Sequence, residues 1–162
     1  MKTCCFTGHR RIPESGKHLL YDGVLLHACR LTRMGVTDFI CGGALGFDTI
    51  AAQTILALRE RRPDIRLILY LPCENQTQRW AHADKIIYEQ IKEAADEVRY
   101  ISKEYDAGCM MRRNRAMVDA ADVCVYYLNH NFGGTAATVN YAKERGIFLI
   151  DVNKTQRYNF EL

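Results

Sequence analysis

Apolar, strand-like runs alternate with helically periodic stretches along almost the whole chain, and that alternation leaves few folds open. Residues 2–7 read as a first strand, and 17–35 place Leu20, Val24, Ala28 and Leu31 on one helical stripe. Gly35 closes that helix and Thr37–Cys41 forms a short strand. A helix over about 47–61 carries Ile50, Ala51, Thr54, Ile55 and Leu58 on its inner side, and Pro63 stops it. Ile65–Leu71 is a continuous apolar run, the pattern of a strand covered on both faces. Beyond Pro72 and the polar loop Cys73–Gln78, the pattern predicts a helix over 79–95 with Ile86, Ile87, Ile91 and Ala94 on one side. A brief strand Val98–Ile101, a helix over 107–120, a strand Val123–Leu128, a helix over 135–145 and a last strand Ile147–Val152 complete the series. The expected fold is α/β: a mostly parallel sheet of about six strands, helices on both faces, wound by right-handed crossovers. At 162 residues the chain reads as a single domain over 1–162, and its polar tail, Lys154–Leu162, is expected to lie over the surface.

Bulk properties narrow the class. Hydrophobic residues make up 48% and charged residues 25%, an ordinary balance for a globular protein. No apolar run approaches the ~20 residues of a membrane span. The N-terminus turns polar too soon for a secretory signal, so the cytoplasm is the expected compartment. The seven cysteines are odd in number and include no Cys-x-x-Cys pair. Cys4, Cys5, Cys41 and Cys124 fall in predicted strands, where a reduced thiol packs as a small apolar group, so no metal centre is expected. The net charge is only +3, and the arginine groups 30–33, 59–62 and 112–115 read as solvated helix faces. A strongly basic nucleic-acid binder is disfavoured, although nucleic acid stays open as a partner.

Three turns sit where a strand runs into a helix: Thr7-Gly8-His9-Arg10, Gly42-Gly43-Ala44-Leu45-Gly46-Phe47-Asp48 and Phe132-Gly133-Gly134-Thr135. In a parallel sheet all such turns open at one edge, where ligands bind. Free amides at a helix start carry partial positive charge and suit phosphate or carboxylate. The candidate ligand-binding residues are therefore Gly8, His9 and Arg10, then Gly42, Gly43, Ala44 and Gly46, and lastly Gly133, Gly134 and Thr135. Gly42-Gly43-Ala44-x-Gly46 is neither a dinucleotide Gly-x-Gly-x-x-Gly nor a P-loop. Asp48 either supports a helix N-terminus or holds a ribose hydroxyl. Thr135 reads as the N-cap of its helix, and the two glycines before it suit a backbone lying against something flat or anionic. Arg113 and Asn114 open the helix before the fifth strand, and Arg113 carries a guanidinium fork suited to phosphate. Gln78 and Trp80 are placed to contact a base, unless Trp80 is plain core.

Four blocks in order resemble the YpsA-like branch of the SLOG superfamily: Cys5–Arg10, Gly42–Asp48, Arg113–Asp119 and Gly133–Val139. The resemblance spans Cys4 to Asp151. It implies a Rossmann-like domain whose glycine turns bind a nucleotide or a nucleotide-derived ligand, related to DNA-processing protein A and the Lonely Guy phosphoribohydrolases. The phosphoribohydrolases carry Pro-Gly-Gly-x-Gly-Thr-x-x-Glu in the last turn. Laid on that pattern, Phe132 replaces the proline, Ala136 the third glycine and Asn140 the glutamate, and an amide cannot act as general base.

The expected function is a sensor or adaptor holding a small nucleotide, with an ADP-ribose-like ligand among the options. In this reading phosphates rest on Gly42–Gly46 and Gly133–Thr135, and Arg10 and Arg113 balance their charge. The alternative is an N-glycosidase-type enzyme needing a carboxylate at the same edge, for which Glu74 and Asp48 lead and Glu104 and Asp106 follow. Single-stranded DNA binding is a third possibility. A homo-oligomer built on the helix face Met110–Met117 is also open.

Overall fold

The computed structural model describes residues 1–154; the predicted draping of the tail beyond Lys154 lies outside the described residues. Six strands, β1 (Thr3–Gly8), β2 (Asp38–Cys41), β3 (Arg66–Leu71), β4 (Glu97–Tyr100), β5 (Val123–Tyr127) and β6 (Phe148–Asp151), form one sheet in the order β4-β3-β2-β1-β5-β6. Every pairing is parallel. The winding therefore runs outward from β1 to β4, then returns past β1 to lay down β5 and β6. With right-handed crossovers, that reversal must move the helices to the other face. Accordingly α1 (Lys17–Arg33), α2 (Phe47–Arg59) and α3 (His82–Ala94) cover one face, and α4 (Cys109–Asp119) and α5 (Gly133–Arg145) the other.

The two cores follow from the strand pleat. Cys4 and Phe6 of β1 point into the core under α1–α3, and Cys5 points into the one under α4 and α5. The predicted stripe Leu20, Val24, Ala28 and Leu31 is buried along α1. On α3, Ile91 is buried but Ile86 is exposed; Tyr88 takes the inward place instead. On the α4 face named for a second copy, Met117 is core and Met110 borders a cavity. All seven cysteines are free, and six of them are buried.

The first and fifth strands hold the middle of the sheet together. Beyond their five-residue register, the Asp122 carboxylate accepts the amides of Lys2 (2.7 Å) and Thr3 (3.0 Å). Two of the boundaries that differ from expectation bear on the site. α3 begins at His82 because residues 75–80 close successive turns, with Gln78 N–H donating to Asn75 and Trp80 N–H to Thr77. α5 begins at Gly133, which puts Thr135 inside the first turn and makes Phe132 the N-cap residue. Thr135 therefore does not cap its helix.

Candidate functional site

The loops leaving β1 and β5 diverge at the carboxyl edge of the sheet, where the winding reverses, and such a point leaves a crevice. A cavity of about 290 Å³ opens there. Gly8, His9 and Arg10 line it from β1, and Gly133, Gly134 and Thr135 from the start of α5. Arg113 and Asn114 reach it from α4, and Ala44 and Asp48 from the turn before α2. Gly42, Gly43 and Gly46 are not in its wall. Gly43 and Gly46 instead border a second cavity of about 360 Å³ between α1, α2 and α3, which also takes Trp80. Glu74, Gln78, Glu104, Asp106 and Asn140 line neither cavity. Glu74 is solvent-exposed, and Asp106 is paired with Arg112.

The two glycine turns are glycine-rich for opposite reasons. Gly46 has φ +77°, and a Cβ there would run into the Arg10 carbonyl oxygen. At Gly43 (φ +69°) it would meet the Leu71 side chain, and at Gly42 the Arg113 guanidinium. These glycines let the protein pack against itself. At Gly133 (φ +87°) and Gly134 a Cβ would meet nothing within 4 Å. No side chain among the described residues covers that backbone.

The accounting of amides agrees. A helix start leaves four N–H groups without internal partners. At α2, Phe47 N–H donates to the His9 carbonyl (3.1 Å), and just before it Ala44 N–H donates to Asp48 Oδ2 (3.1 Å). At α5, Phe132 is extended and no side chain caps the helix. The first-turn amides of α5, Gly133–Thr135, face the smaller cavity, and those of Asp48 and Thr49 open α2.

Asp48 and Arg113 form the buried electrostatic base of the site, at 6% and 4% exposure. They flank Gly42, whose carbonyl accepts from Arg113 Nη1, while Arg113 Nε donates to Asn114 Oδ1 (2.7 Å). Burial pushes the Asp48 carboxyl up, with Arg113 the strongest opposing influence; burial likewise pulls the Arg113 guanidinium down, against Asp48. Asp48 is not the N-cap of α2, a position held by Gly46. Arg10, by contrast, is exposed, and the described residues give it no ion pair: its one side-chain contact is with Met110 Sδ at 3.9 Å.

Three rings stand in a column at the cavity rim: His9 on His130 (4.1 Å between centroids) and His130 on Phe132 (4.0 Å). His9 Nε2 accepts the Asn129 amide at 2.8 Å, which fixes a neutral imidazole protonated on Nδ1. Burial first, and His130 second, hold the His9 pKa below 6.5. For a base with a depressed folded pKa, the native state binds fewer protons than the unfolded chain. Stability is therefore retained above about pH 6.5 and falls as pH drops through 6.5 toward the folded value. Urea unfolding at pH 7.5 and 5.5 checks this: His9→Gln should lose less stability on acidification than the parent, leaving the similarly directed share of His27. The sequence reading missed Met110, His130 and Phe132. A His and a Phe two residues apart just before a double glycine was the available signal.

Residues 25–152 match the YspA SLOG family. The chain belongs to this family. A relative within reach is the uncharacterized SPbeta prophage-derived protein YoqJ of Bacillus subtilis, 28% identical over 70% of this chain and 74% of that protein. A UPF0398 protein of Halalkalibacterium halodurans is 31% identical over 71% of this chain and 62% of that one. In fold, the chain is similar to DNA processing protein A of Helicobacter pylori, described for its single-stranded DNA binding mode. That similarity has a TM-score of 0.67 and 20% identity, over 93% of this chain and 64% of that one. The chain thus spans somewhat under two thirds of both the UPF0398 protein and DNA processing protein A. Among the described residues no group of three or more potential metal ligands occurs, and no helix is long and apolar enough to cross a membrane.

Proposed function

We propose that this SLOG protein binds a nucleotide or nucleotide-derived ligand, and acts as a sensor or adaptor rather than as a hydrolase. The observation that carries this is the uncapped start of α5, where the amides of Gly133–Thr135 border a cavity at the winding reversal and no side chain fills the space over Gly133 and Gly134. A phosphate there gains the amides and the helix dipole together. Arg10, exposed and in no ion pair among the described residues, adds a cation at the rim. The sensor reading is supported by the carboxylates. Asp48 is the one acidic group bordering this cavity, and it is buried, bonded to the Ala44 amide and held beside Arg113. Glu74 and the Asn140 position lie outside it, so no acid stands ready to assist loss of a base.

Gly134→Asp tests the reading because its two effects have opposite sign. A carboxylate in the first turn of α5 favours the helix dipole, so the unfolding free energy should rise by about 0.5 kcal/mol. The same carboxylate occupies the anion position, so AMP affinity measured by calorimetry should fall by at least ~10-fold. Parallel changes in stability and affinity would sink the proposal. So would binding of an oligothymidylate, with steep salt dependence, in place of any nucleotide.

A further inference from the structure

Residues 129–132 run from the end of β5 to the start of α5, and all four are exposed. Asn153, just past β6, secures the beginning of this stretch through the Leu128 carbonyl (3.1 Å) and Asn129 Oδ1 (3.2 Å). Among the described residues, one hydrogen bond joins residues 129–132 to β1 or its exit: Asn129 N–H donating to His9 Nε2 at 2.8 Å. His130 and Phe132, which line the smaller cavity, are held against β1 through the ring column that starts on His9. The attachment thus depends on one imidazole, and histidine is the side chain whose charge changes between about pH 5 and 8. The two histidines of the column differ in what a proton does to them. His130 Nδ1 lies 3.0 Å from the Phe132 carbonyl, which can only accept, so Nδ1 carries the hydrogen and Nε2 is the basic atom. A proton on that Nε2 breaks no bond. His9 uses its Nε2 as the acceptor. A proton there turns it into a donor facing the very N–H it held, in a ring centred 4.1 Å from that of His130. The surroundings do not offset the new charge. Arg10 and Arg113 are cations, Asp48 is engaged by the Ala44 amide and held beside Arg113, and Tyr127 presents its ring edge-on to His9 at 5.5 Å.

We propose that His9 is a proton-operated latch for residues 129–132. Neutral, it holds this part of the cavity wall against β1. On protonation it drops the Asn129 amide, lets His130 and Phe132 leave the column, and opens the rim beside Gly133. The device acts on the shape of the cavity and holds whatever the cavity binds.

Amide hydrogen exchange on the full chain, followed by NMR, tests it. Between about pH 7.5 and 5.0 the protection factor of the Asn129 amide should fall at least ~10-fold, while those of Cys5 and Val125 in the central strands stay within ~2-fold. His9→Gln supplies a carbonyl acceptor that does not titrate, so the Asn129 amide should stay protected at both pH values. His9→Phe keeps a ring for the column without an acceptor and should show the released state throughout. His130→Phe keeps the stack without its charge and should move the release to lower pH. A pH-independent Asn129 amide in the parent overturns the latch, as does a pH response that survives in His9→Gln. An equal loss of protection at Cys5 and Val125 overturns it too, because the response would then be global unfolding.

Discussion

Arg113→Met lowers the free energy of unfolding by roughly 3 kcal/mol, read as a lower urea midpoint with unchanged slope. Methionine fills much of the same volume, so the loss is electrostatic and hydrogen-bonding rather than steric. The Gly42 carbonyl loses its guanidinium donor in a buried setting, and an orphaned buried acceptor costs about 1–3 kcal/mol. Asp48, 6% exposed, keeps its burial and loses the strongest influence that holds its carboxyl down. Its folded pKa rises further above 3.8. For an acid with a raised folded pKa, stability is greatest at low pH and is lost as pH climbs from the unfolded value through the folded one. The variant should therefore recover stability on acidification from pH 7 to 5 more than the parent does. Adding Asp48→Asn should restore part of the deficit at pH 7, because asparagine still accepts the Ala44 amide without bringing a charge. No pH dependence of the deficit would remove Asp48 from this account.

Gly46→Ala also costs roughly 3 kcal/mol, for a reason that involves no charge. At φ +77° an L side chain is strained by about 1–2 kcal/mol, and here its Cβ meets the Arg10 carbonyl, which is backbone and cannot swing aside. Arg10 is pinned in turn because the neighbouring His9 carbonyl accepts the Phe47 amide. Gly16→Ala, with nothing within 4 Å of the added carbon, is the control and should be near neutral. Thermal unfolding of the two variants side by side measures the difference.

The fold was legible because each level of the sequence agreed with the next: short apolar runs, helical stripes and glycine turns at the exits of strands. The six strands, and even the inward residues of α1, were found where the pattern put them. Part of the wall of the smaller cavity was legible too, since Gly8–Arg10 and Gly133–Thr135 come from turns that a parallel sheet must bring to one edge. What was not legible was which glycines face outward. Gly43 and Gly134 look alike as letters, but one abuts Leu71 and the other abuts space, and only the opposite wall decides. The larger cavity was hidden for a related reason. Tyr21, Gln53, Asp84 and Tyr88 sit on three separate helices at the margins of their apolar stripes, so no local run of sequence announces them. Thr135 misled because its chemistry suits a cap, whereas the helix starts two residues earlier at Gly133.

The position of β1 in the middle of the sheet, flanked by β2 and β5, sets the order in which this protein becomes functional. During synthesis the first four strands can assemble while one side of β1 still waits for a partner more than a hundred residues away. The smaller cavity does not exist until that partner arrives and Asp122 clasps the amides of Lys2 and Thr3. A nascent or truncated chain ending before β5 therefore lacks the crevice and carries an unpaired strand flank, the kind of surface on which aggregation starts. The crevice at the winding reversal is thus a late product of assembly, formed only once β5 has joined β1.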